Sequence, residues 1–338
     1  MYKPKNGVFL TTYQCTAACP ECCFECAPDY KGTEKLTYEE MVSFIDQISE
    51  EFGVKQVIWS GGECFLLGEE LKRGIQYAKD KGMVSRCVTN GYWATSEEVA
   101  HNKLRELKEI GLTELNLSTG DNHQLFVPEE NILNAVIAGA KLGLRVAVSV
   151  ETRKNAKVSK ETFESNLRYK NEIVATGLEE LVHILPAVWV SYHEDTIYEY
   201  EEDSEDYIGY KGCDTLFESL CLTPHRTIVG CCGLSIEYIP EMTLGKFGES
   251  LTELYQNQYS DFLKVWLYVD GPKKILEQVK QWDESIKIPS FMHICQACAY
   301  IYQTTKIQST IQKYYRERYD EVIQRFLALQ ELDNPNVL

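Results

Sequence analysis

The chain has 338 residues, of which 44% are hydrophobic and 25% charged, as is ordinary for a globular protein with a sizeable core. Its net charge of −17 argues against a nucleic-acid-binding protein, because such proteins need basic surface to neutralise phosphates. No apolar run reaches the ~18 residues of a membrane helix, and no apolar signal segment follows Met1, so we expect a cytoplasmic protein.

The first two thirds of the chain alternate between predicted strands and helices, at about thirty residues per unit. A β-type run, Gly7–Tyr13, precedes a helix over about 37–52, which Thr37 and Glu40 begin as a capping box and Gly53 ends. Further strands are predicted over 56–59, 84–89, 114–118, 145–151 and 181–185, and further helices over 71–81, from Thr95 to near Gly111, and from Pro128 onwards. Six such strands predict an α/β fold with a parallel sheet, a partial (β/α)6 TIM barrel, whose chemistry lies at the C-terminal ends of the strands.

Thirteen cysteines are many for a cytoplasmic chain. Disulfides do not persist in that compartment, so metal binding or catalysis is the expected use of these thiols. Five cysteines lie within residues 15–26, four within 213–232, and two at Cys295 and Cys298. This clustering predicts two metal centres.

A C-x₃-C-x₂-C array of Cys15, Cys19 and Cys22 follows the first predicted strand. Three thiolates can hold three irons of a [4Fe–4S] cluster and leave the fourth iron open to a small molecule. An open iron is the arrangement used for S-adenosylmethionine (SAM), whose C–S bond is cleaved by an electron from the cluster to give a 5′-deoxyadenosyl radical. Zinc is the alternative, but it usually takes paired C-x₂-C knuckles and four ligands, so this spacing suits it poorly.

Polar residues also follow the other predicted strands, at the same edge of the predicted sheet. Gly61, Gly62 and Glu63 follow the second strand; glycines let the backbone approach a ligand, and a carboxylate pairs with an ammonium group. The ends of the next three strands carry Asn90, Ser118, Ser149 and Glu151. Turn or strand-end polarity is the alternative explanation for each of these residues.

Together, the cysteine array and the Gly61–Gly62–Glu63 motif resemble the radical SAM superfamily. The resemblance implies that Glu63 and the neighbouring backbone receive the SAM amino group. It also implies that the polar residues at the later strand ends contact the ribose, the adenine or the methionyl carboxylate. The residue before the third cysteine is often aromatic in this family and is Glu21 here, so another residue, such as Phe24 or Tyr92, must stack on the adenine.

The last third of the chain predicts a second cluster. Cys221 and Cys231 stand near the ends of a predicted hairpin, and Cys295 and Cys298 form a C-x₂-C knuckle. Four thiolates close a [4Fe–4S] cluster, although they also suit Zn²⁺. The preceding stretch, Glu194–Tyr207, is acidic and aromatic and is predicted to be a solvated loop. This region resembles the SPASM or shorter twitch extension of peptide-modifying radical SAM enzymes, and its length and cysteine count favour the twitch type with one cluster.

A narrower resemblance is to the epipeptide-type peptide epimerases. It rests on the segment CTAACPECCFECAP, on the pair Cys231–Cys232 and on the segment HICQACAYIYQ. In that family, a residue of a ribosomal peptide loses its α-hydrogen and regains hydrogen on the opposite face from a cysteine thiol. The resemblance places Cys232 at the donor position and makes Cys231 a cluster ligand. A buried structural thiol is the alternative for Cys232, and paired cysteines also occur in relatives with other reactions.

These observations predict a radical SAM barrel over 1–195, a twitch-like auxiliary cluster region over 196–310 and a C-terminal helix over 311–338. The predicted reaction is L-to-D epimerisation of a ribosomal precursor peptide, with SAM and two [4Fe–4S] clusters as cofactors. The predicted electron donor is of the flavodoxin or ferredoxin type, and neither nucleic acid nor membrane is an expected partner. Thioether or carbon–carbon crosslinking of a peptide is the alternative, and an iron–sulfur electron-transfer protein without SAM chemistry is a more distant one.

Overall fold

The computed structural model describes residues 2–32, 35–190, 211–234 and 236–332. The chain forms two compact units. The barrel unit consists of Asn6–Tyr200 and Leu222–Arg226, and the C-terminal unit consists of Met1–Lys5, Glu201–Cys221 and Thr227–Leu338. The predicted solvated loop Glu194–Tyr207 and the predicted boundary after residue 195 lie outside the described residues.

Six parallel strands form the sheet of the barrel unit, and each pairs with the next strand in the sequence. They are β1 (Asn6–Leu10), β2 (Gln56–Ser60), β3 (Val84–Thr89), β4 (Leu112–Thr119), β5 (Arg145–Glu151) and β6 (Val182–Ala187). Pairs such as Leu10 with Ser60 and Ser118 with Ser149 bring the strand ends to one edge of the sheet. This arrangement confirms the predicted α/β fold with a partial barrel.

Helices connect these strands. They are α1 (Tyr38–Phe52), α2 (Glu69–Asp80), α3 (Glu97–Glu109), α4 (Glu129–Lys141) and two short ones, α5 (Lys160–Ser165) and α6 (Leu167–Tyr169). At α1 the predicted capping box of Thr37 and Glu40 is present, and Gly53 ends the helix at a φ of 73°. The predicted cap of α3 was one residue too early: Ser96, rather than Thr95, accepts a hydrogen bond from the backbone of the first turn.

Large aromatic side chains hold β1, β2 and α1 together. The ring of Phe9 stacks on Trp59 with centroids 4.7 Å apart, and Phe44 of α1 meets Phe9 edge-on at 5.3 Å. A Cβ on Gly74 of α2 would lie 2.7 Å from the Trp59 ring, so the absent side chain lets this helix approach the sheet. Such contacts, fully buried, fix the strands that precede the functional loops.

The C-terminal unit is built mainly of helices. Its elements are β7 (Ser219–Leu222), β8 (Thr227–Val229), β9 (Thr243–Lys246), α7 (Leu251–Asn257), α8 (Phe262–Trp282), α9 (Ile294–Gln303), α10 (Thr305–Tyr314) and α11 (Arg316–Leu332). β8 and β9 are antiparallel. Phe326 of α11 is buried among aromatic rings, including those of Tyr2 and Tyr268. Among the helices that the structure describes, none is long and apolar enough to cross a membrane.

Candidate active site

The cysteine array lies in an irregular loop directly after β1. The Cys15 N–H donates to the Ala27 carbonyl at 3.2 Å, and the Cys22 N–H donates to the Cys19 carbonyl at 3.1 Å. These bonds close the loop upon itself. The side chains of the three cysteines are half-buried. The loop therefore holds three sulfur atoms close together at the C-terminal edge of the sheet.

The three thiols differ in acidity. Burial raises the pKa of Cys15 to about 11. Burial and then the charge of Glu21 raise the pKa of Cys19 well above its usual value. A hydrogen bond from Cys26 lowers the pKa of Cys22 to about 7. Because these sulfurs also oppose one another's ionisation, three thiolates together need a positive group between them, which the irons of a cluster supply. The donor set thus fits the predicted cluster.

Nitrogen donors surround the sulfurs, as is usual for metal-bound thiolates. The Asn90 side-chain amide donates to the Cys15 sulfur at 3.4 Å, and the Cys26 N–H donates to the Cys22 sulfur at 3.4 Å. Asn90 follows β3, so its side chain links the end of that strand to the cysteine loop. Its predicted contact with SAM stays a prediction.

Gly61 and Gly62 pack against the chain segment that leads into the cysteine loop. The Gly62 N–H donates to the Thr12 carbonyl at 2.6 Å, and the Glu63 N–H donates to the Gln14 carbonyl at 2.9 Å. A Cβ on Gly61 would lie 2.6 Å from the Thr12 carbonyl oxygen, and a Cβ on Gly62 would overlap that of Gln14. Glycine is therefore required for the approach of two backbones, in addition to the predicted approach of a ligand.

The Glu63 carboxylate is completely buried and ties the end of β2 to the end of β3. It accepts hydrogen bonds from the Phe65 N–H at 3.0 Å, the Asn90 N–H at 2.9 Å and the Thr89 hydroxyl at 2.8 Å. Burial raises the pKa of Glu63 to about 7, in opposition to these hydrogen bonds. Three donors thus fix the orientation of the carboxylate. Its pairing with the SAM ammonium stays a prediction.

The ends of β4 and β5 carry the other predicted SAM contacts. Ser118 and Ser149 lie opposite each other in the register of the two strands. Glu151 is buried and accepts two hydrogen bonds from Asn122, at 3.0 and 3.2 Å. Burial and repulsion from Glu21 raise the pKa of Glu151 to about 7. These side chains lie at the same edge of the sheet as the cysteine loop, and their contact with SAM stays a prediction.

His123 also lies in this region and was not among the predicted site residues. It lies in a short 3₁₀ turn after β4, with its Nδ1 atom 3.4 Å from the Cys19 sulfur and 3.8 Å from a carboxylate oxygen of Glu21. Its ring meets Trp189 edge-on, with centroids 4.5 Å apart. A lone histidine far from the array in sequence carries no motif, so only the folded sheet shows this neighbourhood.

A second group of thiols lines one small cavity of the C-terminal unit. The cavity wall includes Cys213, Cys231, Cys295 and Cys298. Burial and the neighbouring thiols raise the pKa of Cys231 and of Cys298 well above the usual range. A Cβ on Gly233 would lie 3.0 Å from the Cys295 sulfur and 3.3 Å from that of Cys231. Four thiols around one cavity could hold a [4Fe–4S] cluster or a Zn²⁺ ion.

The structure favours Cys213 over the predicted Cys221 in this set. Cys221 lies on β7 with its side chain fully buried, and it does not line the cavity. Cys231 follows β8 and lines the cavity, and its role as a cluster ligand stays a prediction. The thiol of Cys232 is not in the cavity wall and lies 3.6 Å from the Ser219 hydroxyl oxygen. Adjacent cysteines thus face different surroundings.

A break in α8 brings Cys213 to the cavity. Gly271 has a φ of 75°, and Pro272 has no N–H, so the helical hydrogen bonds are interrupted there. The Leu267 carbonyl accepts a hydrogen bond from the Cys213 N–H instead, at 2.9 Å. A Cβ on Gly271 would overlap the Lys211 carbonyl oxygen. The glycine at the break is therefore needed for the segment that carries Cys213 to dock on α8.

Residues 9–121 match the model of the Radical SAM superfamily. The matched range contains the cysteine array, Gly61–Gly62–Glu63 and Asn90. This part of the chain is thus a radical SAM domain, for which SAM and a [4Fe–4S] cluster are the implied cofactors.

Two relatives differ in how much of the chain they cover. The "Putative peptide biosynthesis protein YydG" of Bacillus subtilis (strain 168) is 21% identical over 331 residues, which are 94% of this chain and 99% of the relative. A "Probable GTP 3',8-cyclase" of Sulfolobus acidocaldarius is 33% identical over 153 residues, which are 42% of this chain and 47% of the relative. The chain thus spans about half the length of the cyclase.

The solved structure of native anSMEcpe with bound AdoMet has a similar fold. It matches with a TM-score of 0.57 at 14% sequence identity and covers 96% of this chain and 100% of that chain. The shared fold includes the C-terminal region as well as the barrel.

Proposed function

We propose that this radical SAM enzyme modifies a ribosomally made peptide by converting one L-residue to its D-form. The peptide substrate is supported by the similarity to YydG along 94% of this chain, whereas the GTP cyclase is similar along 42% of it. The observation that carries epimerisation is the pair Cys231 and Cys232, of which the first lines the thiol cavity and the second does not. In this proposal Cys231 is a cluster ligand, and Cys232 is the hydrogen donor.

Cys232 supplies hydrogen in this proposal. SAM, when bound at the open iron, supplies the radical that removes the α-hydrogen of a peptide residue. An S–H bond is much weaker than the O–H bond of serine or water, so the thiol of Cys232 can give a hydrogen atom to the carbon radical from the opposite face. One electron and one proton then restore the thiol, and the electron comes from a flavodoxin- or ferredoxin-type donor. The peptide keeps its composition.

The barrel unit holds SAM in this proposal. The buried Glu63 carboxylate pairs with the SAM ammonium, and the backbone at Gly61 and Gly62 lies beside it. Since Thr89, Phe65 and Asn90 already orient the carboxylate, it needs no rearrangement to receive a cation. The remaining contacts to SAM come from the strand-end side chains of Asn90, Ser118, Ser149 and Glu151.

The thiol cavity of the C-terminal unit is proposed to hold one auxiliary [4Fe–4S] cluster on Cys213, Cys231, Cys295 and Cys298. Iron is favoured over zinc because the same protein must already receive an iron–sulfur cluster at its barrel. The close approach of Gly233 to two of the sulfurs supports a site shaped around the ligands.

We expect Cys213→Ala to lose about four irons per chain, one cubane's worth, because it removes one of the four cavity thiols. Cys221→Ala should keep its full iron content, since Cys221 does not line the cavity. Iron and sulfide analysis of the anaerobically reconstituted proteins measures both. A loss in Cys221→Ala with none in Cys213→Ala would restore the ligand set expected from sequence.

We expect Cys232→Ala and Cys232→Ser to cleave SAM and to remove the substrate hydrogen, but to form no D-residue. Alanine has no donor, and the serine O–H bond is too strong to break. Chiral amino-acid analysis of the hydrolysed peptide measures this result. Cys221→Ala is the matched control, because it removes a nearby thiol in the same unit and should leave epimerisation intact.

Deuterated water separates the epimerase from its alternative. The exchangeable thiol should place one deuterium in the product, a mass gain of about one unit, consistent with a thiol donor. A product two mass units lighter, without solvent deuterium and indifferent to Cys232, would establish thioether or carbon–carbon crosslinking instead. If incubation with SAM and dithionite yielded no 5′-deoxyadenosine, both radical SAM reactions would be excluded. The remaining alternative would be an iron–sulfur protein that only transfers electrons.

A further inference from the structure

The sulfurs of the barrel cysteine loop receive hydrogen bonds from different sources. Cys15 and Cys22 each accept one from a backbone N–H of the loop itself, at 3.4 Å. Cys19 instead lies 3.4 Å from Nδ1 of His123, which is 104 positions away in the sequence. The hydrogen bond to Cys19 thus comes from outside the cysteine loop, from the turn that follows β4.

His123 is held firmly in this position. Its carbonyl accepts hydrogen bonds from the Phe126 and Val127 N–H groups at 3.0 and 2.9 Å, which closes the 3₁₀ turn around it. The ring packs edge-on against Trp189, and the residue is only 8% exposed. The turn fixes the backbone of His123, and the Trp189 contact and the burial place its ring with Nδ1 toward Cys19, so the contact is part of the built site.

The direction of this hydrogen bond follows from the chemistry of the ligand. A metal-bound thiolate carries no proton, so Nδ1 of His123 must carry the hydrogen and donate it to the sulfur. The surroundings of Cys19 are otherwise negative, since the buried carboxylate of Glu21 lies 3.8 Å from the same nitrogen and Glu151 lies nearby. The donor therefore offsets negative charge at the sulfur that is most crowded by carboxylates.

We infer that His123 is a positioning residue that raises the reduction potential of the barrel cluster through its hydrogen bond to Cys19. Reduction adds one negative charge to a cluster, and a donor to a ligand sulfur stabilises the more negative state more strongly. His123 thereby makes the cluster easier to reduce by a cellular donor, in a pocket whose carboxylates act in the opposite direction. The inference rests on the barrel cluster and not on the peptide reaction.

The test is a redox titration of the complete, anaerobically reconstituted protein, followed by electron paramagnetic resonance. The signal that changes when SAM is added reports the barrel cluster. In His123→Leu we expect the ratio of reduced to oxidised barrel cluster at a fixed potential to fall about tenfold, which is 59 mV for one electron. In His123→Asn the side-chain amide replaces Nδ1–H, so the potential should return toward that of the parent protein.

His183→Leu is the matched control, because it makes the same change at an exposed position on β6 and should leave the potential unchanged. The iron content of all three variants should equal that of the parent protein. An unchanged potential in His123→Leu would overturn the inference. Loss of about four irons in both His123 variants would also overturn it, because His123 would then be needed to hold the cluster. Neither outcome would contradict the proposed epimerisation, because that proposal is tested by analysing the peptide product of the parent enzyme.

Discussion

Replacing Cys15, Cys19 or Cys22 by alanine, one at a time, is expected to abolish SAM cleavage. Each substitution removes one of only three thiols in the C-x₃-C-x₂-C array, and three ligands are the minimum that leaves one iron open. About four irons per chain should be lost while those of the thiol cavity remain. Iron analysis and the yield of 5′-deoxyadenosine with dithionite measure the two effects.

The matched control is Cys23→Ala, which removes a half-buried thiol of the same loop that lies outside the array. It should retain its iron and its SAM cleavage. Full cleavage by any of the three array variants would contradict the assignment of the array as the ligand set of the SAM cluster.

Glu63→Gln is expected to weaken SAM binding by one to two decades while both clusters remain. Removing a charge-assisted hydrogen bond costs about 1.5–3 kcal/mol. The structure adds a second cause: the glutamine amide must place an N–H₂ group where the carboxylate accepts from the Phe65 or Asn90 N–H. Equilibrium binding of SAM to the reconstituted protein measures the dissociation constant.

Glu109→Gln provides the control, because it makes the same chemical change at an exposed position in α3. Its SAM affinity should equal that of the parent protein. An unchanged affinity in Glu63→Gln would mean that Gly61–Gly62–Glu63 serves only to join β2 to the cysteine loop.

The helices and strands of the barrel could be predicted from sequence because residues close together in the chain determine where each element begins and ends. Hydrophobic spacing and capping residues predicted α1, and β3 and β5 have the predicted bounds. The cap of α3 was misplaced because Thr95 and Ser96 both carry hydroxyls, and only backbone geometry decides which one accepts. Motifs of closely spaced residues, such as the cysteine array, can also be recognised in the sequence alone.

Contacts between residues far apart in the sequence could not be predicted from the sequence alone. The C-x₂-C spacing of Cys295 and Cys298 is visible in the sequence. Cys213 lies far from them in sequence and reaches the same cavity because its backbone docks at the break in α8, so its spacing from the other cysteines does not predict this contact. Cys221 looked suitable because it stands near a hairpin end, yet its strand buries the thiol elsewhere. His123 meets Cys19 only because β4 ends beside the cysteine loop.

The thiol cavity has a mechanical consequence as well as a chemical one. Cys213 and Cys298 are about 85 residues apart in sequence, so a cluster bound between them would cross-link the chain across that whole span. By the chain-entropy relation for cross-links, closing a loop of this length restricts the unfolded chain by roughly 4–5 kcal/mol. That is comparable to the entire folding free energy of many small domains, about 5–15 kcal/mol. A cluster bound there would therefore stabilise the folded C-terminal unit as well as carry electrons.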